Sequence, residues 1–143
     1  MVQFNLSKKE HIFKIIYYGP ASSGKTTNFK VIYDRLHKSE VNTSSTQENL
    51  FVDFLLINVG NIDGLETLFQ IYFLPGEESK LPEIKKFFQD VDGVVFVADS
   101  CKIEENINSL KILEKTLKEI DIDITKIPLV IQWNKRDMAT ALP

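Results

Sequence analysis

The sequence predicts an α/β fold: a three-layer sandwich with a mostly parallel sheet, one antiparallel edge strand and helices on both faces. Two observations predict it. His11–Tyr18, Gly93–Ala98 and Ile127–Trp133 are nearly unbroken apolar runs, the pattern of strands buried on both faces rather than on one. Between them lie stripes of helical period: Phe29, Ile32, Tyr33 and Leu36; then Leu81, Ile84, Phe88 and Val91; then Ile103, Ile107, Leu110, Leu113, Leu117 and Ile120. Each stripe is expected to coat one face of a helix laid on the sheet.

The middle of the chain reads differently. Phe51–Val59 and Leu65–Phe73 are strand-like runs joined by Gly60-Asn61-Ile62-Asp63-Gly64, a turn-rich link that predicts an antiparallel hairpin. Ser39–Asn49 is polar, with Thr43, Ser44, Ser45 and Thr46 in a row, and is expected to be a loop. The element order is then strand, helix, hairpin, helix, strand, helix, strand, within one domain over residues 1–143.

Bulk properties narrow the functional classes. A net charge of −3 argues against duplex nucleic acid as partner, because neutralising phosphates takes clustered Lys and Arg. The longest apolar stretch is interrupted by Asp53 and Asn58 and is too short to span a bilayer. The single cysteine, Cys101, permits no intrachain disulfide, and no basic cluster precedes an apolar run at the N-terminus. A cytoplasmic protein is the expectation.

Gly19-Pro20-Ala21-Ser22-Ser23-Gly24-Lys25-Thr26 fits G-x-x-x-x-G-K-[ST]. It follows a buried strand and opens an amphipathic helix, as a phosphate cradle requires. Glycines let backbone N–H groups turn toward phosphate oxygens where a side chain would obstruct them. The helix beginning near Lys25 adds unpaired N–H groups and the positive end of its dipole. Gly19, Ser22, Ser23, Gly24, Lys25, Thr26 and Thr27 are the candidate phosphate-binding residues. Lys25 would reach the β- and γ-phosphates, and the Thr26 hydroxyl would ligate Mg²⁺. A Gly/Ser-rich turn with a merely solvated lysine is the bland alternative, and the flanking elements weigh against it.

A second motif selects the base. Asn134-Lys135-Arg136-Asp137 matches N-K-x-D and follows the last buried run, at the strand ends where open α/β sheets bind ligands. The Asp137 carboxylate can accept two hydrogen bonds from guanine, whereas adenine lacks both donors. Leaving buried polar groups unpaired in that way discriminates by ~10⁴ or more. Asn134 is expected to tie the base loop to the phosphate loop, and the Lys135 stem to cover the base plane. GTP and GDP are therefore the expected ligands.

With both motifs placed, the chain resembles the Ras-like small GTPases, and within them the bacterial MglA-type gliding-motility branch. The resemblance rests on Lys14-Ile15-Ile16-Tyr17-Tyr18-Gly19-Pro20, Gly24-Lys25-Thr26-Thr27-Asn28, Phe51-Val52-Asp53-Phe54-Leu55, Pro75-Gly76, Val91–Ser100 and Gln132–Asp137. It implies a P-loop NTPase fold with a short strand near Val2–Asn5, and a GDP/GTP switch in cell polarity or motility. It also implies a Roadblock-type homodimeric activator. The same resemblance adds Gly76 to the phosphate-binding residues and marks departures. Glu77 stands where the family usually has a glutamine orienting water, and Phe73 where it has a small polar residue. Glu48 and Asn49 stand where it has a catalytic arginine and then a Mg²⁺-sensing threonine, with Thr46 and Ser45 as alternative sources of that hydroxyl. An arginine finger alone is worth ~10³–10⁵ in rate. Weak hydrolysis is the expectation, and a non-hydrolysing scaffold is the alternative. Ras-like domains also continue past N-K-x-D, so the resemblance predicts a sheet without the usual last strand and helix, with possible self-association at that edge.

His11 and His37 lack metal-ligand spacing. Cys101 reads as a packing residue, and Trp133 is expected to pack beside the base loop.

Overall fold

The computed structural model describes residues 3–5, 10–35, 41–43 and 52–135, with 3–5 and 41–43 described by their backbone alone. Among these residues seven strands form one sheet: β1 (Gln3–Asn5), β2 (Glu10–Tyr18), β3 (Val41–Thr43), β4 (Asp53–Ile62), β5 (Leu65–Phe73), β6 (Gly93–Asp99) and β7 (Leu129–Asn134). Their order is β3-β4-β5-β2-β6-β7, with β1 antiparallel on the first residues of β2. Strands β5, β2, β6 and β7 are parallel neighbours, so their carboxyl ends, Phe73, Tyr18, Asp99 and Asn134, share one rim. Strand β4 runs against β5, which brings its first residue, Asp53, to that same rim.

The runs of β2 and β6 are buried on both faces, as their composition predicts, but that of β7 is not: Val130, Ile131 and Trp133 are 60%, 47% and 48% exposed, as befits the last strand of the sheet order. Along β2, Ile16 and Tyr18 enter a cluster with Val94, Phe96, Ala98, Ile84, Phe88, Leu113 and Leu117. Tyr17, between them, faces the opposite cluster with Leu55, Phe73 and the helical residues Phe29, Ile32 and Tyr33. The sheet is thus the middle of three layers. Helix α1 (Lys25–Arg35) covers one face, and α2 (Leu81–Ile84) and α3 (Ile103–Glu119) cover the other. The expected stripe on α1 packs as read, except that Leu36 lies outside the described residues.

Four further expectations need correction. The hairpin link is not five residues long. Strand β4 continues to Ile62 and β5 begins at Leu65, leaving Asp63-Gly64 as a two-residue turn with φ of 54° and 80°. Two successive positive φ values are what a type I′ hairpin demands, and Asp-Gly supplies them. A bulge between Asn58 and Gly60 absorbs the odd residue. The second helix is composite, with 3₁₀ segments Glu78–Lys80 and Lys85–Phe88 flanking α2, although Ile84, Phe88 and Val91 are buried as the stripe requires. The polar segment after α1 includes β3, antiparallel to β4, so β4 is not the edge on that side. The stripe on α3 is rotated at its first half: Ile103 and Ile107 are each 49% exposed, while Asn106 and Ser109 turn inward.

Candidate functional site

The segment between β2 and α1 is a tight loop built on its own backbone. The N–H of Ser23 donates to the carbonyl of Pro20 at 3.2 Å, and that of Asn28 to Gly24 at 3.0 Å as the helix begins. Ser22 (φ 61°) and Gly24 (φ 112°) both take left-handed conformations. At Gly24 the need for glycine is doubly fixed, since an added Cβ would lie 1.9 Å from Asn134 Nδ2. Lys25 folds back into the loop. Its ammonium donates to the carbonyl oxygens of Gly19 (2.8 Å) and Pro20 (2.7 Å), and more loosely to Ser23 Oγ (3.3 Å). Burial pushes its pKa down to about 8, with the Glu77 charge opposing that fall. Buried neutral acceptors hold the ammonium in place but do not supply the negative charge it lacks.

The far end of the rim meets this loop directly. Asn134, the last residue of β7, donates through Nδ2 to the Ser23 carbonyl at 2.8 Å, across 111 positions of sequence. The predicted tie between base loop and phosphate loop is present. Lys135 (φ 61°) reaches both walls, donating to the Ser22 carbonyl at 2.6 Å and to Asp99 Oδ2 at 2.9 Å. Asp99 is buried. Burial alone would raise its pKa, but the Cys101 N–H and Lys135 hold it below its ordinary value. Its backbone is clamped by Asn106, whose side chain accepts from Asp99 N–H (2.9 Å) and donates to Asp99 O (2.8 Å). Asp137, Glu48 and Asn49 lie outside the described residues.

Between the two walls opens a cavity of about 330 Å³, lined among others by Lys25, Thr26, Thr27, Asp53, Glu77 and Lys135. Gly76 is wedged against the loop, where an added Cβ would come within 2.3 Å of the Gly19 carbonyl oxygen and 2.5 Å of Ala21 N. That contact seats the exposed Glu77 at the cavity wall. Phe73 is buried, its ring 4.4 Å from Tyr17 and 5.5 Å from Phe29 between centroids. A larger cavity of about 570 Å³ sits at the opposite end of the sheet, around Asp92, Asp123 and Pro128. It lies at the amino ends of β6 and β7, away from the phosphate loop and from Asn134-Lys135. Trp133 is about half exposed rather than packed.

Of the predicted residues, the structure brings together Gly19, Ser22, Ser23, Gly24, Lys25, Thr26, Thr27, Gly76, Glu77, Asn134 and Lys135. The sequence reading missed Asp53 at the cavity and the Asp99–Asn106 clamp beneath Lys135. A carboxylate opening an otherwise apolar strand was the available signal for the first. An asparagine on the polar side of a helical stripe carried no such signal.

Comparison with known proteins agrees with this arrangement. The profile of the Arf: ADP-ribosylation factor family matches residues 1–143. The chain is 43% identical to the mutual gliding-motility protein MglA of Myxococcus xanthus, over 96% of this chain and 74% of that protein. It is 25% identical to the rat ADP-ribosylation factor-related protein 1, over 99% of this chain and 67% of that one. Among solved structures, the mammalian SRP receptor structure superposes with a TM-score of 0.63 at 24% identity, covering 90% of this chain and 65% of that one. That last likeness concerns the fold alone. Family profile and sequence identity together establish that the chain belongs to the Arf/Ras-like small GTPases and sits with their MglA-type members.

Proposed function

We propose that the chain binds GDP and GTP in the cavity between Gly19–Thr27 and Asn134-Lys135 and acts as a nucleotide-gated switch. The observation that carries this reading is the Asn134–Ser23 hydrogen bond, which makes the phosphate loop and the base loop one unit. Lys25, its pKa lowered by burial, would meet the β- and γ-phosphates together with the backbone N–H groups opening α1. Asn134 and Lys135 would hold the base side of the site, and Asp137 would read guanine. The donor chemistry fits Mg²⁺, a hard cation that takes oxygen ligands and keeps several waters. Thr26 offers a hydroxyl at the cavity, and the ion would neutralise phosphate charge. Among the described residues no three His, Cys, Asp or Glu side chains cluster to hold a metal alone, so phosphate oxygens and water would complete its shell.

Titration with fluorescent GDP, GTP and ATP tests this. Tight binding of both guanine nucleotides with ATP at least about a thousandfold weaker is expected. Equal affinity for ATP would overturn the reading. The identity with the gliding-motility protein supports a role in motility; a part in cell polarity and a Roadblock-type homodimeric activator are proposed from the family resemblance.

A second reading, a pseudo-GTPase used as a scaffold, is favoured by Glu77 at the wall and by Phe73, which offers no polar atom. Single-turnover GTP hydrolysis separates the two: slow but measurable turnover supports the switch, and none supports the scaffold. No helix among the described residues is long and apolar enough to cross a membrane.

A further inference from the structure

We propose that Asp53 supplies the protein carboxylate of the Mg²⁺ shell. The proposal rests on the nucleotide-site reading above and assigns a residue to which no motif gave a role. Its position comes from topology. Asp53 opens β4 and is paired in register with Phe73 at the end of β5. Because β4 alone among the strands reaching this rim runs antiparallel, its first residue rather than its last lies there.

Its orientation comes from the strand alternation. Asp53, Leu55 and Ile57 share one face, and Leu55 and Ile57 pack in the cluster formed with Phe29, Ile32 and Tyr33 of α1. One step further along that face lies the first turn of α1. There Asp53 lines the same cavity as Lys25, Thr26 and Thr27.

Chemistry then selects it. Mg²⁺ in phosphate sites is held by one or two carboxylates, substrate phosphates and water. The cross-strand neighbour of Asp53 is Phe73, buried between Tyr17 and Phe29, which has no oxygen to give. Among the described residues two carboxylates line the cavity, and Glu77 is the one whose charge acts on Lys25. Asp53 is the other, beside the hydroxyls of α1. A purely structural role, balancing the charge of Lys30 on α1, would leave Mg²⁺ dependence unchanged.

The test is GDP affinity of the whole chain and of Asp53→Asn, each in excess Mg²⁺ and in EDTA, with Mn²⁺ electron paramagnetic resonance as a direct report of the bound ion. In the substituted protein the Mg²⁺ half-saturation point is expected to rise roughly 10–100-fold, the Mn²⁺ signal to weaken, and affinity in EDTA to stay the same. An undiminished Mg²⁺ response overturns the proposal, as does an equal loss in both buffers. Should that variant not fold, Asp53→Glu carries the same test, since it moves the carboxylate by one methylene; an unchanged half-saturation point then overturns it. Absence of GDP binding by the unsubstituted chain in either buffer is a separate outcome, in which the nucleotide-site reading fails first and takes this proposal with it.

Discussion

At Lys25 the ammonium is held by three neutral acceptors in a buried loop, and its pKa falls to about 8 from 10.5. Two opposite pH dependences follow. Without nucleotide, the folded chain binds fewer protons at this site than the unfolded chain between pH 8 and 10.5. Its contribution to stability is therefore complete above the unfolded value and lost as pH falls to about 8. Nucleotide binding runs the other way. Phosphate charge favours the ammonium, so affinity is constant below about pH 8 and weakens above it, by up to about tenfold per pH unit as the free protein deprotonates. GDP affinity measured from pH 6.5 to 9.5 checks this, and a Lys25→Met variant should bind weakly with no inflection near 8. A flat profile in the unsubstituted protein would show that the lysine does not meet phosphate. This much is a property of side-chain surroundings, and G-x-x-x-x-G-K-T announces the lysine without announcing its pKa.

At the scale of elements, the turn from β6 into α3 depends on a residue that periodicity misplaced. The apolar stripe pointed to Ile103 and Ile107 as the inward face, yet Asn106 is the residue turned in, pairing both the N–H and the C=O of buried Asp99. A hydrogen-bond demand at a strand end outranks helical hydrophobicity because two unpaired buried backbone groups cost more than two half-exposed isoleucines. Asn106→Ala is therefore expected to destabilise the protein by about 1–3 kcal/mol, and Ile107→Ala by less than about 0.5 kcal/mol. Denaturant midpoints of the two variants check the ranking, which is the reverse of what the stripe predicts. A costlier loss at Ile107 would mean the clamp is incidental. The strands were legible for the converse reason: β2 and β6 are buried on both faces, so hydrophobicity alone outlines them. The hairpin was legible in kind but not in length. Alternation blurs where Ile62 ends β4 in solvent at 49% exposure, and only the Asp63-Gly64 pair marks the true turn.

At the scale of the molecule, the two recognition segments are separated by most of the chain and meet because four parallel strands deliver their ends to one rim. That convergence was readable from motif order. What filled the rim between them was readable only in part: Gly76 was expected there from the family resemblance, whereas Asp53 arrives only because β4 runs antiparallel. A ligand spanning the cavity would join the loop after β2 to the strand end of β7, already linked by Asn134 to Ser23 and by Lys135 to Ser22. It would bind the folded state alone, so it should raise stability by mass action, about 2.7 kcal/mol at a hundred times its dissociation constant. For a domain of this size that corresponds to a rise of roughly 10 °C in Tm. GDP is expected to produce that shift, and ATP at the same concentration almost none. Asn134→Ala should shrink the GDP shift by weakening the joint between the halves. Thermal scans with each nucleotide decide the matter: equal shifts for GDP and ATP would leave a phosphate site without base selection, and a full GDP shift in Asn134→Ala would show that the two loops bind independently of the bond that joins them.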